Sequence, residues 1–262
     1  MKNEILSLLP PDFPWGESVH YLESVDSTNS YAKTLAKAGA PHGTAVIAKS
    51  QTGGRGRMGR SFHSPDGGLY MTVILRPNCQ AQALMHLTCA AGIAAAEAIY
   101  DASGIRPGLK WINDLVIGTK KVGGILAEMS LTPSGNVDYA LIGVGINCKD
   151  SIPAELSQIA TALDRETKKA VSPILLAAKL LQGLYCISGR LLLEQNAIMD
   201  QYRAQCVTTG HEVLLLRGDQ QQKAFALSVE NDGGLLVEFP DKSREVISSG
   251  EVSVRGLFGY LS

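Results

Sequence analysis

Seven residues, Gly54-Arg55-Gly56-Arg57-Met58-Gly59-Arg60, hold three arginines and three glycines between Ser50-Gln51-Thr52-Gly53 and Ser61-Phe62-His63-Ser64-Pro65. Glycine supplies backbone freedom and close approach, and guanidinium groups supply forked donors that match phosphate or carboxylate. Any fold this chain adopts must therefore present a loop able to close over an anion. The spelling Gly54-x-Gly56-x-x-Gly59 also fits a dinucleotide fingerprint, but that motif needs a helix opening within it and an acidic residue about twenty positions on. Turn chemistry follows instead, Ser64-Pro65-Asp66-Gly67-Gly68, and no acidic residue occurs from Gly68 to Ala96. No Walker sequence occurs anywhere in the chain. A solvated surface loop and an RNA contact of the arginine–glycine kind remain open on this segment alone.

The 262 residues suit one large domain, or a large and a small one. Lysine and arginine number 24 against 25 acidic residues, so no global charge draws the chain to nucleic acid or membrane. Cys79, Cys89, Cys148, Cys186 and Cys206 are odd in number and show no Cys-x-x-Cys spacing, and the histidines are scattered. Reduced cysteines in a cytoplasmic protein, with no zinc site, are the expectation. Pro10-Pro11 follows the short N-terminal segment closely, and no secretory signal is read there.

Periodicity orders the elements. A strand at Val19–Val25 leads to cap residues Asp26-Ser27-Thr28-Asn29 and a helix ended by Gly39. Strands are expected at Thr44–Lys49 and Gly68–Leu75, then a long alanine-rich helix from Gln80 to Ala102. Short strands at Leu109–Trp111, Asp114–Ile117, Val122–Met129 and Val137–Asn147 precede a second long helix from Ser172-Pro173 to Tyr202. After Cys206 the period becomes two. Glu212–Leu216, Lys223–Val229, Gly234–Phe239, Glu245–Ser248 and Glu251–Val254 read as strands, with hairpin turns at Arg217-Gly218-Asp219 and Asn231–Gly234. The expected class is α+β: a mixed-sheet domain over residues 1–205 and a small β-barrel over 206–262.

Four polar loops stand at strand ends: Asp26–Asn29, Gln51 with the arginine loop, Lys110-Trp111-Ile112-Asn113-Asp114 leading to Lys121-Val122-Gly123-Gly124, and Gly143-Val144-Gly145-Ile146-Asn147. Singly, each has a plain reading as cap, turn, bulge or core residue. In order, they resemble the biotin protein ligases. That family's Ser-Thr-Asn motif stands as Ser27-Thr28-Asn29, its arginine loop as Gly54–Arg60, its Lys-Trp-Pro-Asn-Asp as Lys110–Asp114, its Lys-x-x-Gly-Ile-Leu-x-Glu as Lys121–Glu128, and its Gly-x-Gly-Ile-Asn as Gly143–Asn147. Ile112 replaces the usual proline, and Phe62 stands where tryptophan is usual. About twenty residues precede Tyr21, too few for the winged-helix DNA-binding domain of some relatives, so the expectation is a form without one.

The resemblance implies ATP-dependent activation of biotin to biotinyl-5′-AMP, then transfer to a lysine of a biotin carboxyl carrier protein domain of a carboxylase. It implies that Arg55, Arg57 and Lys121 are catalytic. It implies that Ser27, Thr28, Asn29, Gln51, Gly54, Arg55, Gly56, Arg57, Lys121, Gly124 and Gly143 bind biotin. Arg57, Arg60, Asn113 and Asn147 take the nucleotide, and Asp114 takes Mg2+. The small barrel is expected to be SH3-like. Monomer and homodimer are both open. A lipoate ligase on a related fold is the nearest alternative.

Overall fold

The computed structural model of the chain describes residues 1–217, 220–248 and 253–256. Gly218 and Asp219 of one expected turn, and Glu251 and Val252 of the last expected strand, lie outside the described residues.

Seven strands build the first sheet: β1 (Val19–Leu22), β2 (Ala45–Ala48), β3 (Leu69–Leu75), β4 (Gly108–Lys110), β5 (Asp114–Ile117), β6 (Lys120–Leu131) and β7 (Val137–Ile146). Their order is β1-β2-β3-β7-β6-β5-β4. β1 and β2 run parallel, and every other pair is antiparallel. β3 is buried at every position, as its unbroken apolar run leads one to expect of a central strand covered on both faces.

Alternation along β3 and β7 divides their residues between two faces. Met71, Val73, Ile142 and Val144 join the main core, against which helices α3 (Leu87–Ser103) and α5 (Pro173–Arg190) pack. Ile74 and Leu141 face the other way, under Ala32 and Ala36 of α2 (Thr28–Lys37). α2 covers only part of that face. Thr72, Gly143 and Leu126, paired in one row across β3, β7 and β6, lie where its N-terminus reaches the sheet. The remaining area is where the functional loops meet.

Two expected helices differ in detail. The alanine-rich segment opens as a 3-10 turn at Ala81–Leu84 and becomes α-helical only at Leu87. It is apolar and long enough to cross a membrane by length and composition, yet it is the central, mostly buried core helix. The second helix is two helices, α5 and α6 (Gln195–Gln205). The break has a partner: buried His86 approaches the Leu191 carbonyl through Nε2 at 3.1 Å, satisfying a carbonyl at the helix end. Short helices α1 (Lys2–Ser7) and α4 (Leu163–Thr167), not expected, complete the helical set.

After Cys206 come β8 (Glu212–Arg217), β9 (Gln220–Val229), β10 (Leu235–Glu238), β11 (Arg244–Ile247) and β12 (Ser253–Gly256). They form an antiparallel sheet in the order β11-β10-β9-β8-β12. Among the described residues β11 and β12 are the unpaired edges. This sheet touches the first through one loop in particular. The Trp111 indole donates to the Gly233 carbonyl at 2.8 Å, and the Trp111 backbone N–H donates to Thr208 Oγ1 at 2.8 Å. The α+β class is therefore as expected, with the second unit an antiparallel five-stranded sheet.

Candidate active site

The loops after β1, β2, β4 and β7 converge on a cavity of about 330 Å³, at the small end of the usual range for ligand pockets. Its lining includes Ser27, Thr28, Asn29, Gln51, Arg55, Gly56, Arg57, Arg60, Asn113, Asp114, Lys121, Gly124, Gly143 and Asn147. Of the residues singled out from sequence, Gly54 alone is not on that wall. It lies behind, where a Cβ would come within 2.3 Å of the Phe62 carbonyl and 2.5 Å of Ser64 Oγ. No side chain fits there, so the fold of the loop requires glycine at this position.

The arginine loop is a small hairpin. Arg55 pairs with Ser61, the Gly56 N–H donates to the Arg60 carbonyl at 2.7 Å, and the Phe62 N–H donates to the Gly54 carbonyl at 2.9 Å. Its tip, Arg57–Gly59, is a 3-10 turn with Met58 and Gly59 at positive φ. No helix opens here, as the dinucleotide fingerprint would require. Arg57 reaches inward and donates to Asn113 Oδ1 at 3.0 Å. Burial pulls its guanidinium below the ordinary arginine value and the nearby Arg60 charge adds to this, while Asp114 opposes it. A desolvated cation of this kind gains more from an incoming anion than one in water.

Lys121 Nζ lies 2.6 Å from Asp114 Oδ1 and faces the Phe62 ring, 5.7 Å from its centroid. The β5–β6 register sets Asp114 opposite Gly124 and Lys121 opposite Val116, so the two side chains meet diagonally across the hairpin. The peptide bond between Trp111 and Ile112, where the family's proline would stand, is cis. Asn113 is fixed from both sides: its carbonyl accepts from the Ile125 N–H at 2.8 Å and its amide donates to the Ile125 carbonyl at 3.3 Å. Asp114 is the only carboxylate among the lining residues, against three arginines and two lysines. No cluster of three or more metal-ligating side chains occurs among the described residues. A lone carboxylate fits a magnesium ion that arrives already held by phosphate oxygens.

Around the start of α2 the lining donors and acceptors are neutral amides and hydroxyls. Ser27 holds the N-cap position of α2, yet its side chain makes no capping bond. The Thr28 N–H, an orphan donor of the helix start, is instead taken by Gln51 Oε1 at 2.8 Å, and Gln51 Nε2 donates to Ser64 Oγ at 2.8 Å. The Asn29 side chain lies over Gly143, where a Cβ would stand 2.0 Å from its Oδ1. Phe62 covers the next row of the sheet in the same way, over Gly145 and Gly124.

Sequence reasoning missed two parts of the site. One is the wall at Ile152, Pro153, Leu156, Ile159 and Ala160, tied to the sheet by the Lys121 N–H on the Ile159 carbonyl at 2.9 Å. Asn147 donates its amide to the Thr161 carbonyl at 3.0 Å and so holds the end of that wall. The other is the set of polar residues behind the start of α2: Ser64, Thr72 and, within a motif already noted but given no role, Glu128. The lone threonine in the otherwise apolar run of β3 was the signal available.

A wall that combines anion-binding cations with neutral amides and hydroxyls suits a substrate with a polar uncharged head and an acid to be activated. Comparisons with known proteins agree. Residues 21–147 match the model of the biotin/lipoate A/B protein ligase family. The bifunctional ligase/repressor BirA of Bacillus spizizenii is 34% identical over 248 residues, covering 89% of this chain and 73% of its own. The biotin–[acetyl-CoA-carboxylase] ligase of Paracoccus denitrificans is 30% identical over 246 residues, covering 90% of this chain and all of its own. The chain belongs to the biotin protein ligase family. Among solved structures, the biotin protein ligase of Aquifex aeolicus in complex with biotin and ATP superposes with a TM-score of 0.77 at 30% identity, covering 91% of this chain and 98% of that one. Family membership extends to the fold of both units, since these matches run well past Cys206.

Proposed function

We propose that this protein is an ATP-dependent biotin protein ligase that forms biotinyl-5′-AMP and transfers the biotinyl group to a lysine of a carrier domain of a carboxylase. In the first step a biotin carboxylate oxygen attacks the α-phosphorus of ATP, and pyrophosphate leaves. In the second the carrier amine attacks the acyl carbon, the anhydride bond breaks, and AMP leaves with the electron pair. The single observation that carries this reading is one cavity walled both by the cations Lys121 and Arg57 and by the neutral hydrogen-bonding groups of Ser27, Thr28 and Gln51.

The first step brings two anions together, so its catalysis is charge neutralisation and positioning. Lys121, a compact charge, bridges carboxylate and α-phosphate oxygens on leaving Asp114. Arg57 and Arg60 take phosphate oxygens, and Arg55 lies against the acyl tail. Asn113 orients Arg57, and Asn147 faces the nucleotide side. Asp114 would hold magnesium brought with the triphosphate, where the metal supplies further charge neutralisation. The free state of the described cysteines supports a reducing cytoplasm as its place of action. The proposal also divides the chain at residue 206, in the connection between α6 and β8, and takes the second unit as an SH3-like barrel.

The test is incubation of the purified protein with ATP, magnesium and biotin, with lipoate in parallel because the matching family includes lipoate ligases. Mass spectrometry is expected to detect biotinyl-adenylate, and biotinylated carrier domain once that domain is added. Lipoyl-adenylate alone would transfer the mechanism to the other acid, and neither product from folded protein would end the proposal.

A further inference from the structure

The cavity wall at the start of α2 is wired to a partly buried chain of side chains with a fixed direction. Asn29 Nδ2 donates to Glu128 Oε2 at 2.8 Å and to the Leu126 carbonyl at 3.3 Å. Both partners are acceptors only, so the amide cannot be turned over, and Asn29 Oδ1 must face the other way. There it meets Thr72 Oγ1 at 2.7 Å. Thr72 has no exposure to solvent, and its oxygen also lies 2.9 Å from Thr28 Oγ1.

A hydroxyl has one hydrogen, and Asn29 Oδ1 at the shorter distance needs it. The Thr72 oxygen is then an acceptor toward Thr28. The other inward neighbour of the Thr28 hydroxyl is Gln51 Oε1 at 3.1 Å, again an acceptor. Whichever it chooses, Thr28 spends its hydrogen inside the protein and turns lone pairs to the cavity. Gln51 is fixed by the same logic. Its Oε1 is used by Thr28, so Nε2 faces Ser64 with one hydrogen and has a second to offer.

We propose that Thr72, with Glu128 as the acceptor that sets the chain's direction, is a positioning residue that fixes the donor–acceptor polarity of the head-group subsite. The cavity then offers an acceptor at Thr28 and a donor at Gln51, complementary to a cyclic urea with its N–H donors and carbonyl acceptor. A head group with reversed polarity meets like against like, and unpaired polar groups are how a buried site rejects a near-isostere. The inference rests on the biotin reading above. Glu128 also lies 3.4 Å from Arg55, so Thr72, which touches no charge in these contacts, is the cleaner probe.

The experiment compares wild type, Thr72→Val and Thr72→Ser with biotin and with 2-iminobiotin, whose ring carbonyl is replaced by an imine that bears hydrogen. Thr72→Val keeps shape and strand propensity and removes the hydroxyl. It is expected to raise the KM for biotin about tenfold, the size expected when a buried hydrogen-bond partner is removed, with little change in kcat. The preference for biotin over 2-iminobiotin is expected to fall by a similar factor, and Thr72→Ser to restore it. An unchanged preference in Thr72→Val overturns the proposal. So does a lost preference in Thr72→Ser, which keeps the hydroxyl and decides the matter should the valine variant not fold. A wild type that neither binds nor activates biotin defeats the parent reading, whereas an active wild type with an indifferent Thr72→Val defeats this inference alone.

Discussion

The ammonium of Lys121 and the carboxylate of Asp114 sit 2.6 Å apart across the β5–β6 hairpin, each side chain about one-fifth to one-quarter exposed. The pair keeps a cation in place inside a cavity otherwise rich in positive charge, and an arriving carboxylate or phosphate can take over the lysine. Lys121→Ala should therefore fold and bind ATP but lose adenylate formation by about 10²–10³-fold, the usual cost of removing one preorganised stabiliser of developing charge. Lys121→Arg should fail to rescue it, because a planar fork does not replace a compact charge between two oxygens. Pyrophosphate exchange reads both variants, and unchanged exchange in Lys121→Ala would remove the residue from the mechanism.

Arg57 reaches the same space from the opposite wall and is held by Asn113 Oδ1 at 3.0 Å. It is partly desolvated, with its pKa drawn down from the arginine range by burial. That range is so high that Arg57 stays protonated at any pH where the protein is folded, and no pH dependence of activity should trace to it. Arg57→Gly should fold normally, still form adenylate, and release it at least about tenfold faster by loss of a charge-assisted contact. Single-turnover trapping of free adenylate measures that release, and retention equal to wild type would contradict the role.

Much of this was legible in the chain itself. The arginine–glycine segment had to be a loop beside an anion site, and the ordered motifs placed most of the cavity's polar wall by residue number. What escaped was long-range. Nothing local marks Thr72 as meeting Asn29, because the contact depends on the pairing of β3 with β7. The wall near Pro153 is irregular backbone whose place depends on Lys121 and Asn147. The carbonyl at the Leu191 break is met by His86, more than a hundred residues away in sequence.

The two units are linked at Trp111, whose indole donates to the Gly233 carbonyl next to the Asn113–Asp114 turn. Trp111 is only 4% exposed, so water cannot readily replace the lost donor. Trp111→Phe should lower stability by about 1–3 kcal/mol. Gly233→Ala should cost about 1–2 kcal/mol because Gly233 has a φ of +89°. Denaturant unfolding checks both, and values within error of wild type would mean that the contact carries no weight.

Cysteine reactivity gives an independent check of the core. Burial pushes the Cys148 thiol up to about 12 and the Cys89 thiol further up. A raised thiol pKa means less thiolate at a given pH, and the thiolate is the reactive form. In native protein at pH 8, iodoacetamide should label exposed Cys186 and spare Cys89 and Cys148 until the chain unfolds. Peptide mapping reads the pattern, and early labelling of Cys148 would show that the sheet end at Ile146 opens. Because both thiols are protonated in folded and unfolded chains below about pH 8, they should add no pH dependence to stability there.

Gly143 offers the sharpest steric test of the cavity wall at the start of α2. A methyl group at this position would stand 2.0 Å from Asn29 Oδ1, far inside contact distance, on a central strand that cannot retreat. The Asn29 amide would have to leave Thr72 and Glu128, and the helix start that presents Thr28 would shift with it. Gly143→Ala is therefore expected to raise the KM for biotin by at least about tenfold, while a nucleotide-only measure such as ATP binding changes little, since lost pairing of a buried amide is costly at the site that uses it. Gly145→Ala, which would meet the Phe62 ring at 2.7 Å, should disturb the subsite less, because an aromatic ring near a loop can move where a doubly bonded amide cannot. Isothermal titration with biotin and with ATP separates the two effects. Equal loss of both ligands in Gly143→Ala would point to general damage of the sheet, and unaltered biotin binding would show that Asn29 does not set the floor of the site.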